Sequence, residues 1–385
     1  QTDKTIEIPV EAKHLNNLKI NQIQVLGTHN SYARPVDSQV IKYAAPKIEK
    51  LMGQFFKKMP ESMKKSFKEN HPNGIAISEG LNYDHPTFKQ QLNAGLRNLE
   101  IDVYHDSIGG IFSNPASYRD LKKQGAKNLA FHNTKGLETP GFKVLHMADY
   151  DFRSHYPTLK DALVALKEWS SANPNHIPIY IQLEVKDMGI PVFENPTRIE
   201  KFTKDTYNKL DEEIISVLGK DKLITPDIVK SGYTTLNKAI HNNNWPTVKE
   251  ARGKFIFLML PGSAGTVNES DYTKDHPNLE GRAMFVTSDP KSDHAAFLLL
   301  DNAIDRQDDI KRYVKEGYLV RTRSDIETYE AKINDKTRAN MAFSSGAQVV
   351  STDFYKSGNV YNTSYFVTLP GGGVARKNPV NGEPK

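Results

Sequence analysis

The chain has 385 residues, of which 38% are hydrophobic and 25% charged, as in a globular protein with a large core and unlike a disordered chain. Its 51 basic and 46 acidic residues leave a formal charge of only +5, spread along the sequence, so composition indicates no nucleic-acid-binding surface. The lack of cysteine excludes disulfides and thiolate metal sites, and no apolar run approaches the length of a membrane span.

Short β-rich runs recur along the chain with helical patterns between them. We predict strands at residues 24–26, 99–103, 143–146, 179–184, 254–260, 283–286, 319–322 and 349–352. A closed (β/α)8 barrel has eight strands that alternate with helices, the same number as predicted here. We therefore predict an α/β fold, a TIM barrel of somewhat irregular form, that makes one catalytic domain of residues 1–385.

The clearest helix between these strands begins near Thr158, where Thr158 and Asp161 form a capping pattern. It leads directly into the apolar run IPIYIQLE, a helix-to-strand step typical of a parallel sheet. A second helical pattern, TRIEKFTKDTYNKLDEEIISVLG, ends at Gly219, where we predict a left-handed cap. The segment between the first two strands is too long for a simple crossover, so we predict a helical insertion at the barrel mouth over about 36–95.

Acidic residues stand at the ends of two predicted strands. Glu100 and Asp102 in LEIDVYHD are two residues apart, so a strand directs both side chains to one face, and IYIQLEVKD adds Glu184 and then Lys186. The carboxyl ends of barrel strands meet at one mouth, where Asn30 offers an amide oxygen. Three carboxylates with an amide oxygen predict a hard-cation site, for Ca²⁺ or Mg²⁺.

Two of the twelve histidines also stand at predicted strand ends. They are His29 in VLGTHN and His146 in KVLHMADYD. Two imidazoles beside a cation and a lysine are the usual parts of general acid and base catalysis. For the second histidine, His105 in VYHD and His132 in FHN are the alternatives.

Several blocks of this sequence resemble those of a known enzyme family. The blocks LGTHNSY, LEIDVYHD, KVLHMADYDFRSHYPTLKDAL and WSSANPNHIPIYIQLEVKD are similar, in order and spacing, to those of the calcium-dependent phosphatidylinositol-specific phospholipase C family, especially its bacterial secreted-type branch. A weaker similarity continues through WPTVKEARGKFIFLML, GYLVRTRSD and GAQVVSTDFY. The resemblance implies an α/β barrel with one Ca²⁺ at its mouth.

Carried over by position, the resemblance implies roles for individual residues. The calcium ligands are Asn30, Glu100, Asp102 and Glu184, the catalytic histidines are His29 and His146, and Lys186 lies near the substrate phosphate. The implied reaction cleaves phosphatidylinositol to diacylglycerol and inositol phosphate through inositol 1,2-cyclic phosphate, with the metal activating the 2-hydroxyl. His146 takes the leaving-group side and His29 the phosphoryl side, while either His29 or a ligand carboxylate is the base.

Three further features lie near the predicted mouth. Arg323 in VRTRSD could bind phosphate or inositol hydroxyls, and Tyr355 in STDFY could cover the sugar ring; an ordinary salt bridge and a packed rim aromatic are the alternatives. Residues 51–68 combine apolar side chains at helical spacing with lysines. This stretch is either a lid helix packed on the barrel or a peripheral membrane contact.

The resemblance also implies partners and a location. We expect a monomer that acts on a phosphoinositide lipid at a membrane surface and does not bind nucleic acid. Because the chain begins with Gln1, we expect that an N-terminal segment has been removed and that the protein is secreted, periplasmic or at the surface of a bacterium.

Two other functions keep the same barrel. A glycerophosphodiester phosphodiesterase, or another phospholipid phosphodiesterase, would use the same metal and histidines, because strand-end residues alone do not separate inositol lipid from glycerol phosphodiester. A non-catalytic lipid- or inositol-binding barrel would lack at least one histidine or ligand, and none is missing here.

Overall fold

A computed structural model describes residues 10–260 and 269–383. Within these ranges the strands are β1 (Ile23–Thr28), β2 (Asn98–Asp106), β3 (Gly141–Val144), β4 (Ile179–Val185), β5 (Phe255–Leu260), β6 (Phe285–Val286), β7 (Phe297–Asn302), β8 (Leu319–Arg323), β9 (Val349–Thr352) and β10 (Arg376–Lys377). The helices are α1 (Ser38–Lys58), α2 (Glu61–Asn70), α3 (Ile77–Gly80), α4 (Phe88–Asn93), α5 (Ala116–Lys123), α6 (Leu159–Ala172), α7 (Lys204–Leu218), α8 (Pro226–Lys230), α9 (Leu236–His241), α10 (Glu269–Thr273), α11 (Ala303–Glu316), α12 (Tyr329–Ile333) and α13 (Thr337–Ser344).

Eight of the described strands form a barrel. They lie side by side in the order β6–β5–β4–β2–β1–β9–β8–β7, and each hydrogen-bonded neighbour along this path is parallel. The two ends of the sheet meet at a single parallel bridge between Thr287 and Phe297, so the barrel is nearly closed. Strands such as FIFLML in β5 are buried throughout, as expected of parallel strands covered on both faces. The predicted (β/α)8 barrel is confirmed.

One predicted barrel strand is wrong. Residues 143–146 contribute instead to β3, which pairs antiparallel with β2, Val144 opposite Val103, and lies off the barrel path. The eighth barrel strand is β7, FLLLDN, which the sequence analysis did not predict. A short apolar run that passes straight into a helix, as β7 passes into α11, has no turn residues at its carboxyl end, and periodicity alone does not separate it from helix.

The two predicted helices are present, with one different boundary. The Thr158 hydroxyl caps α6 by accepting from the backbone N–H of Asp161, as the capping pattern predicts. The second helix begins only at Lys204, so TRIEKF is not helical. It ends at Gly219, whose φ of 91° and ψ of 139° lie outside the left-handed helical region, so the predicted cap type is wrong.

The chain between β1 and β2 carries α1 to α4. Helix α1 buries Val40, Ala44, Ala45 and Ile48, and α2, which follows Pro60, buries none of its residues. The end of α2 is held at the carboxyl end of β7, because the Asn302 side chain donates to the Glu69 carbonyl over 2.9 Å. The insertion between β1 and β2 therefore reaches the barrel mouth, where the strands have their carboxyl ends. Among the described residues, helices that are both long and apolar enough to cross a membrane are not found.

Candidate metal and catalytic site

Three carboxylates meet at the carboxyl ends of β2 and β4. Asp102 lies opposite Glu184 in the parallel register, and Glu100 precedes Asp102 by two residues on the same face. One oxygen from each lies within 4.8 Å of the others. Glu100 and Asp102 are buried and Glu184 is partly buried. The structure thus brings together the three acids that the strand pattern predicted at one mouth.

Two cations balance part of this negative charge. The Lys186 Nζ atom lies 3.4 Å from Asp102 Oδ2 and 3.1 Å from Glu184 Oε2. Arg321 Nη2 lies 2.8 Å from Glu100 Oε2. Burial raises the pKa of both Glu100 and Asp102, with Arg321 and Lys186 opposing the shift and Glu184 adding to it. Lys186, predicted near the substrate phosphate, here contacts two of the predicted calcium ligands.

Buried acceptors in this cluster lack hydrogen-bond donors. Apart from the ion pair with Lys186, both oxygens of Asp102 are without a hydrogen-bond partner, and so is Oδ1 of the fully buried Asn30. Buried acceptors are nearly always satisfied in native proteins, so unsatisfied oxygens beside three carboxylates need an explanation. Carboxylate and amide oxygens are the ligands that Ca²⁺ takes. The residues present therefore fit a calcium ion.

Asn30 is held next to β2 by the residue that follows it. The Ser31 backbone N–H donates to the Glu100 carbonyl over 3.0 Å, and the Ser31 hydroxyl accepts from the Glu100 N–H over 2.8 Å. Asn30 has a φ of 45°, a left-handed conformation that asparagine tolerates better than most residues. The turn after β1 thus brings the amide beside the strand that carries Glu100 and Asp102.

His29 stands at the same mouth, between acids and a guanidinium. Its Nδ1 lies 3.2 Å from Asp353 Oδ1 and 3.4 Å from Arg323 Nη2. Burial and the positive charge of Arg323 hold the pKa of His29 well below its usual range, against the opposing effect of Asp353. Burial alone would raise the pKa of Asp353, but its contacts with His29, His85 and Arg323 lower it. These surroundings favour a neutral His29 beside an ionised Asp353.

His146 faces His29 across the mouth. The two ring centroids are 6.5 Å apart, and His146 Nδ1 lies 2.8 Å from Oδ2 of the buried Asp151. Because Asp151 takes Nδ1, Nε2 is left for another partner. The other two candidates lie in different surroundings: His105 pairs with Glu200 over 3.0 Å, and the His132 ring packs on Phe152 at 4.8 Å.

The remaining predicted residues differ in their placement. Arg323 lies within the site, 3.3 Å from Asp353 Oδ2 as well as beside His29. Tyr355 packs against the hydrophobic cluster that contains Phe354 and Tyr365. Arg323 is thus brought together with the histidines, while the contacts of Tyr355 are those of a rim aromatic.

The acids that hold the two histidines, Asp353 and Asp151, were not predicted from the sequence. Asp353 directly follows β9, within the block STDFY, so its position at a strand end was the available signal. Asp151 follows His146 by five residues in a loop, with no periodic pattern around it. Tyr83 and His85, which also contact the site, come from the insertion, where no local signal indicates them.

Comparison with a family model gives a match across most of the chain. The model described as phosphoinositide phospholipase C, Ca²⁺-dependent, matches residues 18–379. A search of curated proteins returned no match.

Solved structures of similar fold include two bacterial enzymes. One is a calcium-dependent phosphoinositol-specific phospholipase C from Pseudomonas sp, described as a myoinositol complex, with 16% identity and a TM-score of 0.52 over 94% of this chain and 96% of that one. Another is a Ca²⁺-dependent phosphatidylinositol-specific phospholipase C from Streptomyces antibioticus, with 16% identity and a TM-score of 0.50 over 87% of this chain and 94% of that one. At this identity the likeness shows a shared fold.

Proposed function

The chain belongs to the calcium-dependent phosphoinositide phospholipase C family, whose members are phosphoric diester hydrolases, and we propose that it cleaves phosphatidylinositol to diacylglycerol and inositol phosphate through inositol 1,2-cyclic phosphate. The observation that carries the proposal is the pair His29 and His146, 6.5 Å apart, beside the carboxylates of Glu100, Asp102 and Glu184. This arrangement combines a cation site with two proton-transfer groups.

Four residues would hold one calcium ion. They are Asn30, Glu100, Asp102 and Glu184, whose free or clustered oxygens fit a hard cation. When bound, Ca²⁺ supplies positive charge that neutralises the phosphoryl group and lowers the pKa of the inositol 2-hydroxyl. The same charge would relieve the repulsion between Glu100, Asp102 and Glu184.

The two histidines would transfer the protons. Asp353 is the nearest partner of His29 Nδ1, so Nδ1 donates to it and the lone pair of Nε2 takes the proton of the 2-hydroxyl. A new bond forms between the 2-oxygen and phosphorus as the bond from phosphorus to the glycerol oxygen breaks. His146 acts as an imidazolium: its Nδ1–H is held by Asp151, and its Nε2 gives a proton to that glycerol oxygen, which leaves the ring neutral. Hydrolysis of the cyclic product by water reverses these roles.

Three side chains would bind the head group. Arg323 lies beside His29, where its guanidinium can bind the phosphate. Lys186 carries a buried ammonium next to the ligand carboxylates, where it can contact the same phosphate. Tyr355, partly buried after β9, would cover the sugar ring.

The mouth face would rest on lipid. The exposed large apolar side chains include Phe55 and Met63 of the insertion. Met188 and Val360 are also exposed and follow the carboxyl ends of β4 and β9. The lysines of residues 51–68 add positive charge toward an anionic membrane. We propose that the protein acts as a monomer and that it meets the membrane outside the bacterial cytoplasm.

Replacing Phe55 and Met63 together by serine should weaken binding to phosphatidylinositol vesicles by about tenfold or more, because both side chains would lose burial in lipid. Phe55 is 57% and Met63 46% exposed, so the folded protein loses little packing. Vesicle sedimentation measures binding, and hydrolysis of a soluble inositol phosphate ester should stay unchanged. Ile228→Ser, equally exposed on α8, is the control. Equal vesicle binding by all three proteins would contradict the lipid contact.

Phosphorus NMR of phosphatidylinositol vesicles tests the function itself. We expect a cyclic inositol phosphate signal with Ca²⁺ and none after chelation. A water-soluble glycerophosphate product would favour the glycerophosphodiester reaction instead. Absence of turnover under both conditions would favour a non-catalytic lipid-binding barrel.

A further inference from the structure

Two residues of the insertion, Tyr83 and His85, reach into the site just before α4. Both are buried, whereas Asp84 between them is exposed and pairs with Arg34 over 3.3 Å. The rings of Tyr83 and His85 pack with centroids 5.1 Å apart. The alternation of buried and exposed positions therefore directs both side chains inward from one short stretch of chain.

Tyr83 contacts the predicted amide ligand. Its hydroxyl oxygen accepts from Asn30 Nδ2 over 2.8 Å, and its ring lies 5.7 Å from the ring of His29. The two ends of an amide differ, since the nitrogen only donates and the oxygen only accepts. With the nitrogen bound by Tyr83, Oδ1 of Asn30 remains buried and without a partner. The Tyr83 hydroxyl could bond either end of the amide, but a cation on the far side takes only the oxygen, so the calcium-binding orientation is the one in which Nδ2 donates to Tyr83.

His85 contacts the acid behind His29. Its Nε2 lies 3.3 Å from Asp353 Oδ1, the same oxygen that is 3.2 Å from His29 Nδ1. The other oxygen of Asp353 lies 3.3 Å from Arg323, and the Asp353 backbone N–H donates to Asp325 over 2.8 Å. His29 Nδ1 is also 3.3 Å from that second oxygen. His85 and Arg323 therefore hold different oxygens of the carboxylate that His29 contacts, and together they fix its orientation toward the His29 ring.

We propose that Tyr83 and His85 are positioning residues: Tyr83 orients the Asn30 amide so that its oxygen is free for calcium, and His85 orients Asp353 on His29. The inference rests on the proposed function, because it takes Asn30 as a ligand and His29 as the base. With these roles, the insertion between β1 and β2 contributes residues to the catalytic and metal site. Replacing Tyr83 should lower calcium affinity, whereas replacing His85 should lower turnover.

Tyr83→Phe removes only the hydroxyl oxygen that holds the amide. We expect calcium affinity, measured by calorimetry without lipid, to fall about tenfold or more, as for other groups that orient metal ligands. Turnover should recover at saturating calcium. The matched control is Tyr180→Phe, which removes another buried hydroxyl, bonded over 2.7 Å to the Ile20 carbonyl before β1. The same calcium affinity in Tyr83→Phe, Tyr180→Phe and the parent would overturn the role of Tyr83.

His85→Leu removes the contact with Asp353 but keeps side-chain volume. We expect kcat to fall about tenfold or more with calcium affinity unchanged, and His85→Gln, whose amide can still donate to Asp353, to recover most of it. In an Asp353→Asn background the same change should have little further effect, because the two residues act as a unit. His176→Leu, another buried histidine, bonded to Ser170 over 2.7 Å, is the control.

Melting temperatures separate folding from positioning in both tests. Should His85→Leu melt below the assay temperature, His85→Asn, which keeps polarity but shortens the reach to Asp353, replaces it. A full loss of kcat that persists in the Asp353→Asn background would overturn the role of His85. A parent protein that binds no calcium and cleaves no lipid would overturn the proposed function. A normal parent with variants that behave as their controls would overturn this inference alone.

Discussion

Asp102→Asn should abolish calcium binding and slow phosphatidylinositol cleavage by about 10³-fold or more, because a metal ion contributes several kcal/mol of charge stabilisation to such a reaction. Apart from the ion pair with Lys186, both oxygens of the buried Asp102 lack hydrogen-bond partners. Burial raises the pKa of Asp102, Lys186 opposes the rise, and repulsion from Glu184 and Glu100 adds to it, so the ionised carboxylate is disfavoured without a cation. Removing this charge should therefore leave the metal-free protein at least as stable as the parent. Calorimetric calcium titration, initial rates and thermal melting with a chelator measure the three quantities.

Asp106→Asn provides the matched control for that change. Asp106 is equally buried on β2, but it accepts from the Gly109 N–H over 2.6 Å and pairs with Lys143 over 3.4 Å. This variant should lose stability and keep calcium affinity, the opposite of Asp102→Asn. If Asp102→Asn retains calcium-dependent turnover near the parent rate, the carboxylate cluster is not the calcium site.

His146→Gln should slow lipid cleavage by roughly 10²- to 10⁴-fold, the usual contribution of a general acid, with calcium affinity unchanged. The loss should be much smaller on an inositol phosphate ester of a nitrophenol, because that leaving group departs without a proton. His29→Gln should slow both substrates alike, since attack by the 2-hydroxyl needs the base in each case. Initial rates of the two variants on the two substrates measure the difference.

His132→Gln is the control for the histidine experiment. His132 was an alternative for the second catalytic role, but its ring packs on Phe152 at 4.8 Å and its Nε2 lies 3.3 Å from the Phe112 carbonyl. Its loss should leave both rates within a few-fold of the parent. If His146→Gln slowed cleavage of both substrates equally, His146 would not be the acid that protonates the leaving group.

The sequence was sufficient to predict the carboxylates of the site. Glu100 and Asp102 alternate along one strand, and Glu184 ends another, so two simple rules place them together: the two-residue period of a strand and the shared carboxyl edge of a parallel barrel. The structure brings these three acids within 4.8 Å. The second rule also predicts His29 and Asn30 at the mouth, because they directly follow β1.

The barrel strands show where this reasoning fails. Residues 143–146 have the composition of a barrel strand and follow β2, yet Lys143 and Val144 pair antiparallel with β2, and Leu145 and His146 lie outside the strand. The run FLLLDN closes the barrel and continues directly into α11, with no turn between strand and helix. An apolar run indicates that a segment is buried. Which strand that segment pairs with depends on the packing of the whole sheet.

The sequence by itself therefore determined the fold class and the chemical types at the barrel mouth, because side-chain direction along a strand is a local property of the backbone. Only the tertiary structure decided the partners of those groups: His29 meets Asp353 across 324 residues of sequence, and Glu100 meets Arg321 across 221. Tyr83 and His85 enter the site from an insertion with no pattern of its own. Such contacts arise when the barrel closes and brings distant strand ends together. The local periodicity of the sequence contains no information about them.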